Sequence, residues 1–210
     1  IAAAYTLKAR YALIQSDYSA ALTAANNGIS SSSGDMMYIP RGDAAINSGD
    51  KNLFYTLLAG SRTGDIGNKG SYLIKMLNPA ESVYRGNTKT NELARHNYYV
   101  IEEMSASGNT GVAHQYEPQP FATYSENQLI KAEAAARTSG FAAGLSNLNT
   151  YRAWLATGGR LNLTHNVSAN YKYDAYVEAD FTSGGIENAD GVTKEVALLR
   201  EILEERYISL

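Results

Sequence analysis

The chain has 210 residues, with 18 basic and 21 acidic side chains and a formal net charge of −3. This length supports one large domain or two small ones with a real core, and the near balance of charge excludes the basic footprint of a nucleic-acid binder and the polybasic clusters that dock on anionic lipid. Cysteine is absent, which excludes disulfides and thiolate chemistry, while 16 Tyr against 4 Phe and 1 Trp supply rings that stack and also hydrogen-bond.

Residues 3–14 read as a helix, with Leu7, Tyr11 and Ile14 at helical spacing. Ser16 and Asp17 interrupt it, and Asp17 can cap the next helix by accepting its free amide protons. That second helix carries Tyr18, Ala21, Leu22, Ala25 and Ile29 on one face, and the polar run from Asn26 to Gly34 ends it. Residues 1–34 thus form a first helical hairpin. Residues 35–124 form a loop-rich insertion with Gly42, Gly49, Gly60, Gly64, Gly67, Gly70 and Gly86, interleaved with Tyr38, Tyr55, Tyr72, Tyr84, Tyr98 and Tyr99. Short helices are expected at 52–59 and 71–77, and the best strand candidate is 98–101.

A second hairpin spans 125–157, as helices 126–138 and 142–155 joined at Ser139-Gly140-Phe141. Placing Tyr18 on Phe141 aligns Lys8 with Lys131, Ala9 with Ala132, Ala12 with Ala135, Ala21 with Gly144 and Leu22 with Leu145. The unit is similar to the tetratricopeptide pattern, in which small side chains let antiparallel helices approach closely. Tyr18 and Phe141 are therefore expected in the core. A loop follows over 158–192, with Tyr171, Tyr173 and Tyr176 close together. The final helix, 193–210, has Thr193 as its candidate cap and Val196, Leu199, Leu203 and Leu210 as its expected buried stripe.

The sequence opens inside one helical pattern and closes inside another, without an initiating Met or a signal-type apolar core, as expected of a piece of a longer protein. No stretch approaches the roughly 18 apolar residues of a membrane span.

Three stretches carry a family resemblance. Glu126-Asn127-Gln128-Leu129-Ile130-Lys131-Ala132-Glu133, then Gly140-Phe141 and Leu148-Asn149-Thr150-Tyr151-Arg152, resemble the E-x-x-L-x-x-A-E helix, glycine turn and L-N-x-x-R helix of the SusD/RagB family. Leu198 through Ser209, with Glu204-Glu205-Arg206-Tyr207-Ile208, resembles the helix entering that family's C-terminal segment, closest to the branch labelled SusD-like group 2. Residues 5–29 are similar to its earlier L-x-A-R and D-Y-x-x-A hairpin. The resemblance implies a mostly α, SusD-like helical fold, here a single domain over 1–210. It also implies a surface-exposed lipoprotein of the outer membrane, anchored by lipid outside this sequence. Such a protein binds glycan or oligosaccharide without catalysis and delivers it to a SusC-like TonB-dependent transporter. The alternative reading is a helical-repeat scaffold for protein or peptide binding.

A sugar ring presents an apolar C–H face and hydroxyls, so its site needs an exposed aromatic beside polar partners. Trp154, Tyr171, Tyr173 and Tyr176 are the candidates, with Asp174, Asn170 and Arg160 as polar neighbours and Tyr72 and Tyr84 from the insertion. Each ring also suits a packing role. Tyr171 and Tyr173 share a face if their segment is extended, and Arg152 and Glu126 suit charge-assisted ties between helices.

Enzyme signatures are missing. His96, His114 and His165 stand apart, with no H-E-x-x-H pair, and no G-x-S-x-G elbow occurs. The glycine-rich run from Gly64 to Ser71 lacks the phosphate-loop order. Glu201, Glu204 and Glu205 look like a solvated helix side rather than a glycosidase pair. Asn188-Ala189-Asp190-Gly191 reads as a turn rather than a calcium loop. Asn162-Leu163-Thr164 and Asn166-Val167-Ser168 are sequons. No metal or cofactor is expected.

Overall fold

The computed structural model describes residues 1–41, 50–60 and 62–209. Gly42, Gly49 and Leu210, named above, lie outside the described residues. The chain is mostly α-helical. In chain order the helices are α1 (Ala2–Ile14), α2 (Tyr18–Ala25), α3 (Leu53–Ala59), α4 (Tyr72–Leu77), α5 (Leu93–Tyr99), α6 (Tyr124–Ser139), α7 (Phe141–Leu155), α8 (Glu178–Phe181) and α9 (Lys194–Ser209). The short strands are β1 (Met36–Tyr38), β2 (Thr90–Asn91), β3 (Gln119–Ala122) and β4 (Lys172–Tyr173), with β1 beside β3 and β2 antiparallel to β4.

The chain folds as two compact units. One comprises Ile1–Met37, Pro120–Trp154 and Asp174–Leu210; the other comprises Tyr38–Gln119 and Leu155–Tyr173.

In the first unit, α1 runs into a turn in which Ser16 takes a left-handed φ of 61°. The Ser16 amide donates to Leu13 O at 2.9 Å and the Asp17 amide to Ala12 O at 2.9 Å, the paired bonds of a Schellman turn. Asp17 Oδ1 then accepts the Ala20 amide at 3.0 Å, the expected cap of α2. At the matching turn of the second hairpin, Gly140 holds φ 87° and ψ −176°, a region only glycine occupies without strain. Gly144 then brings α7 onto α6: a Cβ there would lie 2.6 Å from the Ala136 Cβ. The small residue at this position is thus required by close approach.

Ala9, Leu13, Ala21, Ala24, Ala25, Ile130 and Ala134 form one core cluster, with Tyr18 half-buried against it. Ala132, Leu148, Tyr176, Phe181, Ala197, Leu198 and Ile202 form another, with Phe141 half-buried against it. Polar ties join the helices. Asn127 donates to Ala25 O at 2.9 Å and Ile29 O at 3.0 Å, and accepts from the Thr6 hydroxyl at 3.2 Å. That hydroxyl in turn accepts the Ile29 amide at 3.0 Å. Arg10 forks onto buried Glu126, with Nη2 2.7 Å from Oε2, and buried Glu133 accepts from Arg137 and Arg206.

Three expectations are corrected. In α1 the buried positions are Thr6, Ala9 and Leu13, while Tyr11 and Ile14 face solvent. In α9 the buried side is Ala197, Leu198, Glu201, Ile202, Glu205, Ile208 and Ser209, whereas Val196 and Leu203 are exposed. Hydropathy misassigned this helix because its inward carboxylates have partners: Ser209 donates to Glu205 at 3.2 Å, and the Arg152 guanidinium stands 3.8 Å from Glu201. Glu201 and Glu205 are therefore not on a solvated side. Third, 98–101 is not a strand, because Tyr98 and Tyr99 close α5. Their β-propensity yields to a tertiary contact: the Tyr98 ring is buried and its hydroxyl donates to Glu117 at 2.8 Å.

The second unit has a small core of Leu58, Ile101 and Ala113. Asparagines stand in for sheet ladders in its loops. Asn52 caps α3 and donates to Val112 O and Glu117 O. Asn68 bridges Tyr99 O and the Ile101 amide, and Asn109 bridges both backbone groups of Glu102. Each closes backbone groups that would otherwise be buried unpaired.

Candidate functional site

The second unit sets Tyr173 on the buried carboxylate of Glu92, with Tyr84 at that residue's amide and Tyr171 stacked on Tyr173. Strand β2 pairs with β4 so that Thr90 faces Tyr173 and Asn91 faces Lys172. Glu92 follows β2 directly, and Arg95 lies one turn into α5. The Arg95 guanidinium forks onto Glu92, with Nε to Oε2 at 2.7 Å and Nη2 to Oε1 at 2.6 Å. Arg85 Nη1 adds a further bond to Oε1, and the Tyr173 hydroxyl donates to Oε2 at 2.8 Å. The Glu92 amide donates to the Tyr84 hydroxyl at 3.2 Å. Two guanidinium groups and a phenol thus satisfy a carboxylate with no solvent exposure, the condition under which a buried charge is tolerated.

Tyr173 is only 4% exposed, and Arg95 lies over its ring at 5.1 Å. Tyr171 stacks on Tyr173, with centroids 6.4 Å apart and planes at 19°. Tyr171 is half-buried and its hydroxyl donates to Asn166 at 2.8 Å. The alternation of an extended segment therefore puts the two rings on one side, as expected, with Tyr173 as support and Tyr171 as the partly exposed ring. Tyr84 is also half-buried and lies on Gly86, where a Cβ would come within 2.1 Å of the ring. Tyr72 opens α4 and is 58% exposed; Ser71 caps that helix.

The remaining candidates lie in the first unit. Trp154 is half-buried and packs edge-on to Tyr124 at 5.3 Å and tilted against Tyr151 at 5.5 Å. Tyr176 is 2% exposed, with the Arg152 guanidinium 3.7 Å above its ring and its hydroxyl bonded to Glu187. Neither Tyr173 nor Tyr176 offers a ring face to solvent, because both rings are covered and both hydroxyls are engaged. Asp174 is exposed, and its backbone carbonyl accepts from Arg152 at 2.9 Å.

The first unit also has an open cleft of about 360 Å³, lined by Ile186, Glu187, Ala189, Asp190, Arg200, Glu201 and Glu204. Arg200 donates to both oxygens of Asp190, at 2.8 and 3.1 Å, and holds that carboxyl below its usual range. The loop beneath is a turn: Gly191 has φ 73°, and the Asn188 amide group donates to Phe181 O and Val192 O at 2.7 Å each. Among the described residues, no group of three or more His, Asp or Glu side chains is placed to hold a metal ion. His165 lies 3.1 Å from the Thr110 hydroxyl, and burial lowers its pKa. Among the described residues, no helix is long and apolar enough to cross a membrane.

Sequence reasoning missed Glu92, Arg85, Arg95 and Asn166. The Glu92–Arg95 spacing is a helical i, i+3 pair and could have drawn notice, but nothing local connects it to Arg85 or Tyr173. Asn166 stood out only as a sequon. The chain matches no family model, no curated protein and no solved structure.

Proposed function

We propose that this chain belongs to a SusD-like protein that binds glycan or oligosaccharide without catalysis at the cell surface and delivers it to a SusC-like TonB-dependent transporter. The observation that carries the reading is the Tyr171–Tyr173 stack, a partly exposed ring backed by a buried one whose hydroxyl is fixed on Glu92. A pre-oriented ring suits the C–H face of a pyranose, because little side-chain freedom remains to be lost on binding. Tyr72 and Tyr84, in the same unit, remain further candidate contacts. The paired helical hairpins, with small residues at their close approaches, agree with the family resemblance of residues 5–29 and 126–152. On this reading the protein sits at the outer membrane through a lipid anchor and needs no metal or cofactor.

The charges beneath the platform are paired with one another, so affinity should depend weakly on salt. Calorimetric titration with oligosaccharides at two ionic strengths, with an assay for new reducing ends, tests the proposal. Saturable binding without product supports it, and release of reducing ends contradicts it.

A second reading, a helical scaffold for a protein or peptide, is favoured by one observation. Val196, Leu203 and Tyr207 lie exposed along α9, an apolar stripe of the kind that docks a partner helix.

A further inference from the structure

The loop before β4 is held at its root. The amides of His165 and Asn166 donate to Asn162 O at 3.0 and 2.8 Å. The Asn162 side chain donates to Thr110 O at 2.9 Å and Glu117 Oε2 at 2.8 Å. His165 adds its contact with Thr110. Above this root, the Asn166 side chain lies against Gly158, where a Cβ would fall 2.3 Å from Nδ2 and where φ is +100°. Its carboxamide oxygen accepts the Tyr171 hydroxyl at 2.8 Å. Glycine at 158 leaves the room that Asn166 fills, and Asn166 meets the one polar atom at the end of the Tyr171 ring.

A tyrosine ring turns about two side-chain bonds. Stacking on Tyr173 fixes its plane, and a bond at the para hydroxyl fixes where that plane ends. The Tyr171 proton is directed at Asn166 and is not offered to a ligand. What remains for recognition is the ring face.

We infer that Asn166 is a positioning residue of the glycan platform: by accepting the Tyr171 hydroxyl it holds that ring where its face meets a pyranose. The inference rests on the glycan reading above. It also separates Asn166 from the sequon in which it occurs, since its side chain has a packing and hydrogen-bonding role of its own.

The test is a double-substitution cycle. Dissociation constants are measured for the unsubstituted protein, N166A, Y171F and N166A/Y171F against maltohexaose, cellohexaose and xylohexaose. A ring that must be ordered on binding, rather than held in advance, predicts weakening on the order of fivefold for each single variant. The double variant should lose no more than either single one, because both remove the same bond. N166D keeps an acceptor and should restore most of the affinity. The thermal midpoint of N166A should stay within about 3 °C, since the residue is exposed; a merely structural role would move it further. Protein labelled with 3-fluorotyrosine supplies a readout without sugar: the Tyr171 fluorine resonance, assigned by its loss in Y171F, should shift in N166A and hold in N166D. Unchanged affinity in N166A, additive losses in the double variant, or an unmoved resonance would each overturn the inference. If the unsubstituted protein binds none of the sugars, the glycan reading and the ligand assigned here both fall. The fluorine resonance then still decides whether Asn166 fixes the ring.

Discussion

Replacing Asn127 by alanine is the sharpest test of how the first hairpin is held to α6. Its side chain is 2% exposed and closes three bonds, two from its amide group to Ala25 O and Ile29 O and one from the Thr6 hydroxyl. Truncation takes the donor from the Ile29 carbonyl and the acceptor from Thr6, while the Ala25 carbonyl falls back on its single bond from the Gly28 amide. An unsatisfied buried group costs about 1–3 kcal/mol, so two such groups and one weakened carbonyl bring the total to about 2–4 kcal/mol once local relaxation is allowed for. That is a large part of the roughly 5–15 kcal/mol that stabilises an ordinary domain. Trp154, the single tryptophan, packs in the same unit against Tyr124 and reports its unfolding by fluorescence. Urea titration should show the midpoint displaced with little change in slope, and Asn127→Asp should be similarly damaging because a carboxylate cannot donate to the two carbonyls. A loss below about 1 kcal/mol would refute the reasoning, since it would mean that backbone and solvent replace all three bonds.

Further outcomes follow from the turns and from the buried charges. Ser16→Gly should stabilise the first unit by about 0.5–1 kcal/mol in the same titration, because Ser16 holds φ 61° where glycine carries no penalty. Gly140→Ala should destabilise by about 1–3 kcal/mol through backbone strain alone, since a Cβ there meets nothing within 4 Å. Tyr173→Phe should cost about 1–3 kcal/mol by denaturant titration followed by circular dichroism, because one oxygen of buried Glu92 loses a donor. His165 prefers the neutral form when folded, because burial lowers its pKa from 6.5. The unfolded chain then binds the proton more readily, so stability should fall as pH drops below about 6.5, and His165→Gln should flatten that part of the curve.

The two hairpins were legible because their signals are local. Asp17 accepts an amide of the helix it precedes, and Gly140 adopts a conformation closed to other residues. The pairing of small residues across them was legible for the same reason. What the sequence hid depends on partners distant along the chain. Glu201 faces inward on α9 beside Arg152, which α7 supplies from 49 positions earlier, so a hydropathy stripe drawn through Val196 and Leu203 chose the wrong side. Tyr98 reads as a strand residue by propensity and folds into α5, with its hydroxyl on Glu117, nineteen positions away. Of the candidate rings, the shared side of Tyr171 and Tyr173 followed from strand alternation. Which of the two is buried did not, because it depends on Glu92, 81 positions earlier.

The most direct test of the central claim is affinity electrophoresis of the protein across a polysaccharide panel, with Tyr171→Ala run alongside. Non-catalytic capture by an aromatic platform predicts retardation on at least one polysaccharide, loss of that retardation in the variant, and no reducing ends released during the run. Migration unaltered by every polysaccharide would contradict it and favour the exposed stripe of α9 as the working surface.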